Sequence, residues 1–206
     1  MPTPDPRPVL LVDMGGVFFA YSFARALDAW AAASGADRAE IGRRWLIDPP
    51  FDAFERGDID PAGYFEHLRS LLGLRLDDTR LAAGWNSIYG DVDEDLVRLL
   101  RSAEVRARFR GIAGVSNTNS VHAGFWRRLY RDQLPVLDTV HCSHEMGTAK
   151  PEPEFFDRVA ARHGVGRGSL VLVDDIPVVV DAARALGMRA HLYAGTSGLA
   201  GFLAAL

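Results

Sequence analysis

The order of apolar and polar positions divides the chain into a short opening strand, a long helical stretch and an alternating remainder. Val9-Leu-Leu-Val12 is an unbroken apolar run, the mark of a strand buried on both faces. Asp13 ends it, and Gly15 and Gly16 follow, residues that let a backbone turn sharply and approach a ligand closely. From about Ser22 to about Arg108 the spacing is helical. Phe23, Ala26, Leu27, Trp30 and Ala31 predict one helix, and a short one around Glu40–Leu46 stops before Pro49-Pro50. Asp60-Pro61 reads as an N-cap with proline at the first helical position. Phe65, Leu68, Leu71 and Leu72 give that helix its apolar face, and Gly73 ends it. Leu81, Trp85, Ile88 and Tyr89 predict a further helix stopped by Gly90, and Leu96, Leu99, Leu100 and Ala103 another from about Asp93.

Beyond Arg108, strands alternate with helices. Ile112–Val115 is a strand, followed by Ser116-Asn-Thr-Asn-Ser120 and a helix through Phe125, Leu129 and Tyr130. Val136–Cys142 contains a strand, and a polar loop leads to Lys150-Pro151. Phe155, Phe156, Val159, Ala160 and His163 form a helix closed by Gly164, and Leu170–Val173 is a strand running into Asp174-Asp175. Pro177 opens a helix through Val179, Ala182, Ala183 and Leu186 that Gly187 ends; a strand near Arg189–Tyr193 and a short helix finish the chain. This alternation predicts an α/β fold, a Rossmann-like parallel sheet with helices on both faces. The opening strand belongs to that sheet, so the helices after Asp13 are an insertion. The expected division is a core of residues 1–19 and 93–206 and a small α-helical cap of residues 20–92. Insertions at a ligand-binding mouth tend to be lids.

Composition adds mainly exclusions. With 206 residues, 48% hydrophobic and 24% charged, the chain has the make-up of an ordinary globular protein. A net charge of -4 gives no reason to expect a nucleic-acid partner. No uncharged apolar run reaches the length of a membrane span, so no membrane partner is expected. The single cysteine, Cys142, excludes an internal disulfide and reads as a buried small hydrophobe. It fits a reducing cytoplasm, and a soluble cytoplasmic monomer or homodimer is expected. The opening Met1-Pro-Thr-Pro-Asp-Pro-Arg-Pro8 lacks the apolar stretch of a signal peptide and is expected to be a frayed tail.

Three strands run directly into polar residues, at Asp13, at Ser116-Asn117 and at Asp174-Asp175, and the loop after a fourth carries Lys150. A parallel sheet gathers such positions at one edge, where ligands bind. Carboxylates collected there repel one another unless a cation holds them. Oxygen donors without His or Cys at metal-ligand spacing favour a hard ion such as Mg²⁺. A lysine, a small hydroxyl and backbone amides beside it would bind a phosphoryl group. Asp13 would then be the nucleophile, forming an aspartyl-phosphate that water hydrolyses. Taken alone, Asp13 could equally cap a loop.

Asp13-Met-Gly-Gly-Val17, Ser116-Asn117, Lys150-Pro151 and Asp174-Asp175 resemble, in order, the four motifs of the haloacid dehalogenase (HAD) superfamily. The helical insertion resembles that superfamily's small α-helical cap, and Ser143-His-Glu-Met-Gly147 its approach to the third motif. Ser116-Asn-Thr-Asn119 with His122 and Trp126, and Phe54-Glu-Arg-Gly57, resemble the subgroup holding bacterial α-D-glucose-1-phosphate phosphatase. The phosphatase domain of soluble epoxide hydrolases is a more distant likeness. The resemblance runs from about Val9 to Leu206. It implies a HAD-like core and a Mg²⁺-dependent phosphatase acting on a small phosphorylated metabolite, such as a sugar phosphate. It also implies Asp13 as nucleophile and metal ligand, Gly15 as donor of a backbone carbonyl to Mg²⁺, and Asp175 as a direct metal ligand. Asp174 would act through water or by pairing with Lys150. Ser116 and Lys150 would hold the phosphate, with Asn117 near it.

Most phosphatases of the superfamily carry a second aspartate two residues after the nucleophile, as acid for the leaving group and base for water. Here that position is Gly15. The acid is therefore unassigned, and the expected substrates are phosphates that depart with little help: anomeric, aryl or acyl. His122, which titrates near neutrality, is the candidate substitute; the other reading is a partly exposed histidine in a first helical turn. Glu145 either positions Lys150 or fixes its loop. Trp30, Trp45, Phe51, Phe54 and Trp85 either line a pocket or pack the cap core, and Arg43-Arg44 reads as a solvated face. Ile176 and Val179 stand where many relatives have polar residues. Two rivals remain. Dehalogenation by the same aspartate needs no metal and leaves the Asp174-Asp175 pair without a task. A silent binding protein that lost its acid at Gly15 would not need the retained nucleophile, lysine and acidic pair.

Overall fold

The computed structural model describes residues 5–206. β1 (Val9–Asp13) leads through the short strand β2 (Phe19–Tyr21) into five helices: α1 (Phe23–Ser34), α2 (Arg38–Arg44), α3 (Pro49–Arg56), α4 (Pro61–Leu72) and α5 (Asp78–Asn86). The chain returns through β3 (Tyr89–Val92) to α6 (Glu94–Arg101) and α7 (Ala103–Arg108). Strands and helices then alternate: β4 (Gly111–Ser116), α8 (Ser120–Leu129), β5 (Thr139–Cys142), the short α9 (Ser143–Met146), α10 (Pro153–Arg162), β6 (Leu170–Asp174), α11 (Pro177–Ala185), β7 (Arg189–Leu192) and α12 (Thr196–Ala204).

A run as apolar as β1 is stable only where both faces are covered, and β1 lies at the centre of a five-stranded parallel sheet ordered β5-β4-β1-β6-β7. Its side chains alternate between two cores. Leu10 and Val12 pack with residues of α6, α7, α8 and α12, while Val9 and Leu11 pack with residues of α10 and α11. The strand order reverses at β1, so the crevice beyond the carboxyl ends of β1, β4 and β6 is the place for a ligand. The register pairs Asp13 with Val115 and Val12 with Val173, which brings Asp13, Ser116 and Asp174 to one edge.

Helices α1–α5 bury a separate core around Trp30, Phe54, Tyr64, Leu68 and Trp85. Asp48, Asp60 and Asp77 cap the N-termini of α3, α4 and α5, accepting from the backbone N–H of Phe51, Gly63 and Arg80. The antiparallel pair β2–β3 joins this unit to the sheet. Among the described residues, no helix is long and apolar enough to cross a membrane.

Helix α2 stops before Pro49-Pro50 as expected, and the two prolines then open α3, because both fall in a first turn whose N–H groups have no helical partner. Three local expectations are corrected. Tyr89 begins β3 instead of extending α5. The helix expected from Asp93 through Ala103 divides at Ser102, whose hydroxyl accepts from Val105 N–H and starts α7. In the expected tail, Arg7 donates to Ala107 O (3.1 Å) and Pro8 O accepts from Arg110 N–H (3.0 Å), so these two residues are held against the core. Residues 1–4 of that tail lie outside the described residues.

Candidate active site

Asp13 ends β1, Asp174 ends β6, and Asp175 follows; one carboxylate oxygen of each lies within 4.8 Å of the others. Lys150 Nζ donates to Asp13 Oδ1 (2.5 Å) and to Asp174 Oδ2 (2.6 Å). Asp174, wholly buried, also accepts the Ile176 N–H on Oδ1 (3.0 Å). Its oxygens are thereby both occupied, whereas the buried Oδ1 of Asp175 has no hydrogen-bond partner. Burial pushes Asp13 and Asp175 above the usual carboxylate range and the charge of Asp174 adds to it, while Lys150 pulls the other way. For Lys150, burial opposes the charged form, but the Asp13 and Asp174 carboxylates outweigh it and hold the ammonium above its ordinary range. An orphaned carboxylate oxygen beside a second carboxylate, in a cluster short of positive charge, is a donor set that fits a hard divalent cation.

The loops that carry these groups are fixed by short-range chemistry. The Asn117 side chain donates to Lys150 O (2.8 Å) and accepts from Lys150 N–H (2.9 Å). Its amide therefore holds the lysine backbone, a use that the expected place near phosphate did not include. Ser116 ends β4 beside it, with 6% of its surface exposed. Gly16, at φ +84°, lies against the Asp175 carboxylate so closely that a Cβ would overlap it. At Gly15, the position where the resembled superfamily carries an acid in most of its phosphatases, a Cβ would meet the Tyr21 ring at 3.1 Å. An aromatic side chain from β2 has taken the space.

His122, which also borders the crevice, has both ring nitrogens engaged. Its Nε2 donates to Trp85 O (3.0 Å), its Nδ1 accepts from Asn119 Nδ2 (3.3 Å), and its ring stacks on Trp85. Burial pushes its pKa down to about 3, so the ring is neutral near pH 7 and has no free nitrogen for a leaving oxygen. It is also buried, not partly exposed as a first-turn histidine would be. Glu145 pairs with Arg127 at 2.7 Å, which makes it a loop-fixing carboxylate. Trp30, Phe54 and Trp85 are core residues, as is Cys142, whose thiol burial pushes up to about 12. Arg43 and Arg44 are solvent-facing partners of Glu40.

Above the carboxylates lies a chamber of about 240 Å³, lined at its floor by Asp13, Gly15, Ser116, Asn117 and Lys150. Its walls are mostly apolar: Phe19, Phe23, Phe51, Ile88 and Tyr89, with Ile176 and Val179 from the core side. Tyr21 and Glu55 are two polar wall residues that the sequence did not mark as candidates. In the sequence Phe54-Glu-Arg-Gly57 carries only a family likeness, and one glutamate in a helix reads as a solvated face.

No family model matches the chain. A phosphatase of Mycobacterium tuberculosis, MT3486, is 31% identical over 204 residues, spanning 89% of this chain and 85% of that protein. The HAD family enzyme BT-2542 of Bacteroides thetaiotaomicron, solved with magnesium and inorganic phosphate, superposes with a TM-score of 0.76 at 26% identity. That match covers 92% of this chain and 96% of the other. The chain belongs to the HAD superfamily of hydrolases. A second relative of this hydrolase, the sesquiterpene phosphatase astK of Aspergillus oryzae, is 26% identical over 181 residues, 86% of this chain and 85% of that one.

Proposed function

We propose that this hydrolase is a Mg²⁺-dependent phosphatase that passes the phosphoryl group of a small organic phosphate to Asp13 and then to water. The observation that carries the reading is the meeting of Asp13, Lys150 and the unpartnered oxygen of Asp175 at the mouth of one crevice. A related enzyme solved with magnesium and inorganic phosphate supports it. Asp13, Asp175 and the Gly15 carbonyl would hold Mg²⁺, which when bound neutralises charge on the phosphoryl oxygens. Asp174 fixes the Lys150 ammonium, Asn117 fixes the Lys150 backbone, and Lys150 with Ser116 holds the phosphate. Asp13 attacks phosphorus, and water hydrolyses the aspartyl-phosphate. Residues 20–92 act as the cap that excludes bulk water, over a core of residues 1–19 and 93–206. Dehalogenation would leave the acidic pair and its orphan oxygen without a task.

The chamber walls favour an organic group that is apolar. A sugar such as that of glucose 1-phosphate, the substrate suggested by the motifs, would set its hydroxyls against rings and leave several unpaired, a costly arrangement. An isoprenoid or aryl phosphate fills the same space without that loss, and one relative is named a sesquiterpene phosphatase. The test is kcat/KM with Mg²⁺ for farnesyl monophosphate, phenyl phosphate and glucose 1-phosphate. Both apolar esters are expected to exceed the sugar by about tenfold or more, a difference of about 1.4 kcal/mol. Equal or better turnover of glucose 1-phosphate would return the substrate to the sugars.

A further inference from the structure

The C-terminal turn of α3 is fastened to the loop that carries Lys150 by three successive residues. The Ser143 hydroxyl lies within hydrogen-bond reach of the Glu55 carbonyl (2.5 Å) and the Thr118 carbonyl (2.9 Å), and it accepts the Thr118 N–H (2.8 Å). Arg56 forms an ion pair with Glu152, whose carboxylate also takes the Thr148 hydroxyl. Gly57, at φ +78°, lies against the His144 carbonyl so closely that no side chain fits between them. The two stretches noticed separately in the sequence, Phe54–Gly57 and Ser143–Gly147, are thus two halves of one joint.

This joint fixes where Glu55 goes. Its backbone is held by Ser143 at the start of α9, and its side chain lines the chamber together with Asp13, Ser116 and Lys150. Among the described residues no hydrogen bond or ion pair engages its carboxyl, although Arg56 beside it is paired. Burial and the neighbouring Asp52 push the Glu55 carboxyl up to about 7, against the pull of Lys150. A carboxyl that keeps its proton near neutral pH, in a chamber whose usual acid position is a glycine, has the chemistry of a proton donor.

We infer that Glu55, delivered by the α3–α9 joint, is the catalytic acid that protonates the leaving oxygen, an assignment that rests on the phosphatase reading above. As Asp13 Oδ bonds to phosphorus, the ester P–O bond breaks, its electron pair stays on the leaving oxygen, and that oxygen takes the proton from Glu55. The Glu55 carboxylate then accepts a proton from the water that attacks phosphorus. The Asp13–phosphorus bond breaks, inorganic phosphate leaves, and both side chains return to their starting states.

Glu55→Gln keeps the shape of the side chain and the carbonyl that Ser143 holds, but has no proton to give. The test is single-turnover phosphorylation by parent and variant with dinitrophenyl, nitrophenyl, phenyl and phenethyl phosphates. The loss is expected to grow along that series, smallest for dinitrophenyl phosphate and about 100- to 10,000-fold for the alkyl ester. A plot of log rate against leaving-group pKa then steepens in the variant. A uniform loss across the series, or equal slopes, would overturn the assignment while leaving the phosphatase reading intact. A parent that releases no phosphate from any of the four esters would overturn both.

Discussion

Gly16 is subject to two constraints at once. Its φ of +84° suits only glycine, and its α-carbon lies against the Asp175 carboxylate. Gly16→Ala is therefore expected to cost about 1–3 kcal/mol in backbone strain. It should also move Asp175 and raise the Mg²⁺ concentration needed for half-maximal activity. Thermal unfolding and a Mg²⁺ titration check this; a variant unchanged in both would contradict the close packing of Gly16 on Asp175. At this scale the sequence was most informative. Asp13, Asp174 and Asp175 were legible because each ends a strand of a parallel sheet or follows one directly, and Lys150 because its loop follows a strand of the same sheet, whose topology sends such positions to one edge. The pairing of Asp174 with Lys150 is one of the two roles that the sequence resemblance implies for Asp174. The displacement of the acid position by Tyr21 was not legible, since it depends on a contact made only when β2 folds back beside Gly15. Nor was the engagement of both His122 nitrogens, which needs the Trp85 carbonyl from a helix far away in sequence.

Helix α8 and helix α5 meet through that same histidine, which stacks on Trp85 and donates to its carbonyl. The folded chain holds His122 neutral, with a pKa of about 3, while the unfolded chain takes up a proton below about pH 6.5. Stability from this group is thus complete above about pH 6.5 and is lost as pH falls toward 3, by up to about 1.4 kcal/mol per pH unit. His141, pushed down to about 4 by burial, works in the same direction, and Glu55, pushed up to about 7 by burial, works against it. The informative quantity is therefore a difference. His122→Gln keeps a donor for the Trp85 carbonyl but does not titrate, so its melting temperature should fall less between pH 7 and pH 5 than the parent's. Equal falls would show that the buried ring does not govern acid lability. The elements themselves were legible wherever periodicity was long, as in α1, α4 and α10. They were not where a signal was ambiguous: Pro49-Pro50 punctuates a loop or opens a helix with equal ease, and only the Asp48 cap, accepting from Phe51 N–H at 3.0 Å, decides between them. Tyr89–Val92 became a strand because β2 offers it a partner, and no local propensity announces such a pairing.

In the whole molecule, one crevice has two contributors. The edge of the parallel sheet and the loop beside it supply the carboxylates and Lys150; the helical unit supplies Phe23, Phe51 and Glu55. The general architecture followed from the alternation of strands and helices, whereas the joint between α3 and α9 required the two units to be seen together. The central claim is that Asp13 receives the phosphoryl group in a Mg²⁺-dependent reaction. Its most direct test is acid-quench mass spectrometry of the enzyme mixed with nitrophenyl phosphate, with and without a chelator. The account predicts a phosphoryl adduct on the peptide bearing Asp13, lost on chelation, and an Asp13→Asn variant with no adduct and kcat reduced by about a thousandfold or more. Sustained turnover in the chelator, or turnover by the Asp13→Asn variant within tenfold of the parent (about 1.4 kcal/mol), would contradict it.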